Sequence, residues 1–192
     1  MTINGNIDGA AGEYVRFQAF NGQGPSDSAL VAADGSFSLV TENRPLDYYR
    51  IYVADPKRAI VLVLDSTQRD ITLTAKADDL LKSYEVTGSP DSELMQTFYH
   101  RSMSYSAKMD SLNKLLRSLP GDIDPMISNA MRGQIQRLQS DYEEEMKKLA
   151  VDNSRSPAAL SIISTIDPMK AMVEYKAVSS ALALVIPDSP FL

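Results

Sequence analysis

The sequence predicts an α+β fold: an N-terminal antiparallel β-sandwich of about seven strands, followed by a long helical hairpin and two further helices. Three observations carry this reading. From Thr2 to about Val86, apolar residues recur with period two between short turn signals. After Ser89 the period changes to alternating steps of three and four. Ser-Pro and Asp-Pro pairs then punctuate the rest of the chain. The change of period divides the chain into a β-sandwich domain over 1–88 and a helical region over 89–192, with the hairpin over 90–152 and shorter helices over 157–186.

Along the chain, the strands are marked one by one. Ile3 and Ile7 in "INGNIDG" mark an edge strand that ends in a turn. "YVRFQAF" alternates Val15, Phe17 and Ala19 against Arg16 and Gln18. Between "SALVA" and "SFSLV" stands Asp34-Gly35, a pair that tolerates the positive φ of tight turns, so a hairpin is expected there. "DYYRIYV" sets Tyr49, Ile51 and Val53 against Tyr48, Arg50 and Tyr52, and "DITLTA" sets Ile71, Leu73 and Ala75 against Asp70, Thr72 and Thr74. Ala59 to Leu64 is apolar at both parities, as in a strand covered on both faces. Val86 closes the sandwich, and Gly88 permits a sharp exit from it.

Ser89-Pro90, Asp124-Pro125, Ser156-Pro157 and Asp167-Pro168 read as helix starts. In each, a side-chain oxygen can cap free backbone N–H groups, while Pro fits a position whose donor is unused. At the first start, Ser92 holds the third helical position, so Glu93 stands too far along to complete a capping box with Ser89. Met95, Phe98, Ser102, Tyr105, Met109, Leu112, Leu116 and Leu119 form a heptad seam with one polar break. A helix from Pro90 to Leu119 would reach roughly 45 Å. "PGDID" supplies a turn, after which Met131, Ile135, Leu138, Tyr142, Met146 and Leu149 share one stripe. A long antiparallel hairpin is the economical arrangement. "PAALSIISTI" and "PMKAMVEYKAVSSALALVI" give a shorter and a medium helix.

Composition excludes several function classes. The 192 residues carry 19 basic and 25 acidic side chains, a net charge of -6, which opposes binding to phosphate backbones or anionic lipid. Nucleic acid is therefore no expected partner. No apolar run is long enough to span a bilayer, and "MTINGNIDG" lacks signal-peptide character, although a mature exported protein starts the same way. Cysteine is absent, which removes disulfides, thiolate catalysis and Cys-ligated metal from these residues.

No catalytic, cofactor-binding or metal-binding residue is assigned. Asn4, Asn6, Asp8 and Gly9 imitate the opening of a calcium loop, but Val15 stands where the bidentate Glu belongs. Ser111 and Lys114 have S-x-x-K spacing without the companion motifs of serine acyl enzymes. His100 is the sole imidazole and has neither a Cys nor a second His to work with, so it reads as a helix-surface or interface residue. Glu143 and Glu144 precede Lys147 and Lys148 by four residues, the spacing of a solvated, charge-laced helix. Tyr48, Tyr49 and Tyr52 could anchor a partner on an exposed sheet face, or pair across strands as stabilisers.

In order, "INGNIDG", "ADGSFSLV", "DYYRIYV", "IVLVLDS", "DITLTA", "SYEVTGSPDSELMQTF" and "IPDSPFL" resemble a bacterial module. It is the N-terminal domain of unknown function that precedes the thioredoxin-like domain in envelope thiol-disulfide oxidoreductases of the TlpA and ResA type. The resemblance implies an exported protein of the bacterial cell envelope, periplasmic or an outer-membrane lipoprotein, with a C-x-x-C domain after the helices. Here the chain stops at Leu192 and the lipidated N-terminal Cys is missing, so an excised piece or a natural form without the redox domain is expected. The function implied is a non-catalytic accessory module that positions or oligomerises a thioredoxin-like domain absent from this chain. Its implied partners are a second copy through the hairpin, and a protein client or the thioredoxin-like domain. Membrane tethering is implied only through the missing lipid anchor. The alternative is an envelope binding module that takes a peptide or glycan on an exposed Tyr-bearing sheet face. That alternative requires an open groove bordered by Tyr48 and Tyr52.

Overall fold

A computed structural model describes residues 1–42, 45–120 and 124–186. The predicted "PGDID" turn lies partly, and the "IPDSPFL" segment almost wholly, outside the described residues. Eight strands form two four-stranded sheets: β1 (Thr2–Asp8), β2 (Tyr14–Ala19), β3 (Asp27–Leu30), β4 (Ser36–Val40), β5 (Asp47–Val53), β6 (Ile60–Leu64), β7 (Asp70–Lys76) and β8 (Glu85–Thr87). Helices α1 (Leu80–Ser83), α2 (Pro90–Arg117), α3 (Pro125–Asp152), α4 (Ala158–Ile163) and α5 (Met172–Ala183) complete the chain. The α+β layout is as the periodicity predicts. Two compact units divide between Tyr99 and His100, so the first turns of α2 belong with the sheets.

The first sheet runs β4-β1-β7-β8 and the second β3-β2-β5-β6. Ile3, Ile7, Leu39, Ile71 and Leu73 on one inner face meet Val15, Phe17, Ile51, Ile60 and Leu62 on the other, all fully enclosed. Each such side chain contributes roughly 1.5–3 kcal/mol by leaving water. Phe17 and Tyr49 stack at 5.2 Å within this core.

Three expectations about pairing are corrected. β1 is not an edge strand: it lies between β4 and β7, and its ladder to β7 is parallel, from Thr2↔Asp70 to Asp8↔Lys76. Alternation of Ile3 and Ile7 reports which face is buried, not which distant strand becomes the neighbour. The Asp34-Gly35 turn exists, with Gly35 at φ 83° and the Ala32 amide donating to the Ser36 carbonyl. It does not close a two-stranded hairpin, because β3 belongs to one sheet and β4 to the other. The extra elements, β8 and α1, are three and four residues long, too short to display a period.

β6 is buried at all five positions, as its double-sided apolar pattern predicts, yet it sits at the edge of its sheet. The start of α2 resolves this. Ser89 Oγ donates to the Val63 carbonyl at 2.9 Å, and Ser92 Oγ accepts from the Val63 amide at 3.0 Å. On the opposite sheet, the Val86 amide of edge strand β8 donates to Gln96 Oε1 at 2.9 Å. One helical start thus engages an edge strand of each sheet, closing backbone groups that would otherwise be open to pairing. Ser89 also caps α2 by accepting from the Ser92 amide at 3.3 Å. Glu93, too far along for Ser89, accepts instead from the Gly88 amide at 3.0 Å.

In the second unit, Asp124 Oδ1 accepts from the Met126 amide at the predicted start of α3, and Ser156 Oγ from the Ala158 amide at the start of α4. Asp167 caps in the same way, but it opens only a single 3-10 turn, Pro168–Lys170. The predicted medium helix is interrupted there: Ala171, at φ −135°, leaves helical geometry before α5 begins. Ala150, Ala158, Ala159, Ile162, Ile163, Val178 and Leu182 are all fully enclosed, where the end of α3 packs with α4 and α5.

Candidate functional site

The hairpin of α2 and α3 offers one candidate surface. Each helix has 28 residues, a length of roughly 42 Å at 1.5 Å per residue. Between them the seam is specific near its base. The Tyr105 and Tyr142 rings stack with centroids 4.0 Å apart and planes 9° from parallel. The Ser102 and Tyr142 hydroxyls hydrogen-bond at 2.7 Å, so the polar break in the heptad seam is where Tyr142 finds its partner. Arg101 pairs with Glu145 at 2.8 Å on the flank. Burial, with Tyr142 and Glu143 nearby, pushes the Tyr105 phenol above its ordinary value.

Farther along, the seam is thinner. Met109, Leu112, Leu116, Met131, Ile135 and Leu138 are only half-buried, while Leu115, Met126 and Ile127 are exposed. Two helices alone leave the sides of their contact open. A groove of about 610 Å³ runs beside it, lined by Ala107, Ser111 and Leu112 of α2 and by Gln134, Arg137 and Leu138 of α3. A second groove, of about 390 Å³, continues it past the shared Lys108, Leu138 and Asp141 towards Arg101 and Glu145.

The charged run on α3 is wired differently from the expected i,i+4 pairs. Lys147 pairs with Glu144 at 2.8 Å, Lys148 with Asp152 at 2.6 Å, and Glu143 with Lys170 of the 3-10 turn at 3.0 Å. Both Glu143 carboxylate oxygens accept from Lys170, whereas Lys147 donates to Glu144. Hydrogen bonds from Lys170 and then Gln139 hold the Glu143 carboxyl below its usual range.

The other sequence candidates are dispersed. Ser111 Oγ donates to the Ala107 carbonyl at 2.9 Å within its own helix, an ordinary helical back-bond, and not to Lys114. Asn6 Nδ2 donates to the Asp34 carbonyl at 2.9 Å and ties β1 to the neighbouring turn. His100 is half-buried in α2. Among the described residues, no group of three or more His, Asp or Glu side chains is placed to hold a metal ion. A further cavity of about 580 Å³ at one end of the sandwich includes Asp27, Thr41, Asp47 and Tyr49. There Thr41 Oγ1 donates to Asp27 at 2.6 Å and Tyr49 Oη to the Pro45 carbonyl at 2.7 Å.

The three tyrosines of β5 divide. Tyr49 belongs to the core, Tyr48 is half-buried, and Tyr52 is only 8% exposed, with the Arg50 guanidinium over its ring at 5.9 Å. A Tyr48/Tyr52 binding face requires both rings to border an open groove, and of the two only Tyr48 retains appreciable exposure. The residues that sequence reasoning passed over are the outward ones of β2, Tyr14 and Arg16, together with Phe20 just beyond; their signal was already present in the alternation of "YVRFQAF".

Residues 1–95 match a family described as a domain of unknown function (DUF4369). The match covers both sheets and the first turns of α2. No curated protein and no solved structure matches the chain.

Proposed function

We propose that this chain, whose residues 1–95 match the DUF4369 model, is a non-catalytic interaction module of a cell-envelope thiol-disulfide oxidoreductase, whose helical hairpin positions or oligomerises a thioredoxin-like domain carried outside these residues. The observation that carries the reading is the distal part of the hairpin: Leu112, Leu116, Ile135 and Leu138 are only half-buried, and Leu112 of α2 and Leu138 of α3 line one groove. A second hairpin seated on the adjoining groove would cover them as a four-helix arrangement does. The absence of Cys puts thiol exchange in another domain or another chain. Support for the envelope setting, and for a lipid tether, comes from the resemblance of the sandwich and of the stretch leading into α2.

Light scattering as a function of concentration tests the self-association. The wild-type chain is expected to populate a dimer. Leu112→Glu, which places a charge on the half-buried seam, is expected to return it to a monomer with unchanged helix content. A wild-type chain that stays monomeric at every concentration removes the oligomerising role.

A further inference from the structure

The outward side of β2 is a surface that the hairpin reading leaves unused. Val15, Phe17 and Ala19 point into the sandwich, which leaves Tyr14, Arg16 and Gln18 outward. The ladder continues to Phe20, whose amide donates to the Tyr48 carbonyl at 2.8 Å. Register sets Leu30 opposite Tyr14, Ser28 and Tyr52 on either side of Arg16, and Arg50 opposite Gln18. Tyr14 is 51% exposed, Phe20 55% and Leu30 55%, beside a nearly closed Tyr52. Large apolar side chains therefore stand open on both sides of two guanidinium groups.

Those guanidiniums have no counter-charge among the described residues. Arg16 makes no ion pair there. The Arg50 side chain donates to the Gln18 amide oxygen and lies over the Tyr52 ring, both of them neutral partners. The outward rows of the sheet read Leu30–Tyr14, Ser28–Arg16–Tyr52, Gln18–Arg50–Val61 and Tyr48–Val63, with no carboxylate in any of them. This local positive field sits on a chain whose net charge is -6. Tyr, Phe and Arg are the residue types enriched where proteins dock, and a planar guanidinium recognises a carboxylate with two parallel hydrogen bonds.

We infer that the outward face of β3, β2 and β5 docks an acidic protein segment, with carboxylates on Arg16 and Arg50 and apolar side chains on Tyr14, Phe20 and Leu30. The apolar positions favour a polypeptide over a bare polyanion. An anionic membrane is disfavoured by repulsion from the rest of the chain. The inference is independent of the hairpin's role.

Fluorescence anisotropy with a short synthetic peptide alternating Glu with Leu and Phe tests it, beside the same peptide with Lys in place of Glu and vesicles of phosphatidylcholine containing phosphatidylglycerol. The acidic peptide is expected to bind and to weaken with added salt, and the Lys peptide to stay free. Arg16→Glu is expected to weaken binding roughly tenfold or more, and Tyr14→Ser and Arg50→Gln to weaken it less. Arg16 and Tyr14 are exposed, so circular dichroism should be unchanged in their variants. Equal binding of both peptides overturns the inference. So does affinity unmoved by Arg16→Glu and Arg50→Gln, absence of peptide binding, or binding to the anionic vesicles alone.

Discussion

Ser92 satisfies both backbone polar groups of Val63: its Oγ accepts from the Val63 amide and donates to the Val63 carbonyl, each at 3.0 Å, and both residues are completely enclosed. The carbonyl has a second donor in Ser89, but for the amide Ser92 is the acceptor at hand. Val63 lies on an edge strand that water does not reach. A missing hydroxyl therefore cannot be replaced by solvent.

Ser92→Ala should accordingly destabilise the fold by about 1–3 kcal/mol, the usual cost of stranding a buried donor. Ser89→Ala removes the helix cap and one of two bonds to the Val63 carbonyl, but leaves the Val63 amide paired. Native-state hydrogen exchange separates the two. The Val63 amide should lose protection in Ser92→Ala and keep it, relative to its neighbours, in Ser89→Ala. Equal loss in both variants would contradict the assignment of the amide to Ser92.

Gly88 makes the turn into α2 possible, and its replacement should be costly for two reasons at once. At φ 91° an L side chain is strained, and an added Cβ would lie 2.3 Å from the Asp70 carbonyl oxygen, a backbone atom that cannot swing aside. Strain of this kind alone costs about 1–3 kcal/mol. Gly88→Ala should exceed it, with a urea midpoint well below that of Ser89→Ala. A Gly88→Ala midpoint within error of wild type would show that β7 yields at Asp70.

How legible the fold is in the sequence depends on the kind of information. Alternation places Phe17, Leu39, Ile51 and Leu73 in the core because side-chain direction in a strand is a local property. The same alternation cannot reveal that β1 pairs with β7, because the partner is chosen by a fit distant in sequence. Val61 and Val63 announce a strand covered on both faces, but not that part of the cover is a pair of serines. Asp124 and Asp167 are equally good caps in sequence, yet one opens a long helix and the other a single turn, since Ala171 is needed in the core of the second unit and is fully buried there. The outward face at Arg16 was readable only as polar alternation until register brought Leu30 and Tyr52 beside it.

Alkaline pH should unfold the chain sooner than its net charge alone requires. Burial raises the phenols of Tyr84, Tyr99 and Tyr105 above the ordinary tyrosine value. A raised folded-state value means that the unfolded chain releases its proton first. The contribution is whole below about pH 10 and is lost as pH climbs towards the folded-state value. Urea midpoints should therefore be level around neutrality and fall steeply above about pH 10. In Tyr105→Phe, which removes one ionisable group and keeps the stacked ring, that fall should be shallower. An unchanged slope would mean that Tyr105 titrates alike in both states.

Glu143 and Lys170 supply a test of how the 3-10 turn is held against α3. Glu143 accepts from the Lys170 ammonium at 3.0 and 3.2 Å and from Gln139 at 3.0 Å, and its carboxyl is held below the usual range. With the folded value depressed, the stabilisation is present above the ordinary Glu value and disappears as pH falls through the folded one. The ammonium is half exposed, so the pair should be worth no more than about 1 kcal/mol and should shrink in salt. Glu143→Gln and Lys170→Met should each lower stability by that amount at neutral pH, and the double variant by scarcely more than either alone. As pH falls through the depressed folded-state value, below the ordinary Glu range, the carboxylate is neutralised in the wild type too and the Glu143→Gln difference should close. Additive losses, or a difference independent of pH, would leave the turn held by Ala171 and its packing, not by this ion pair.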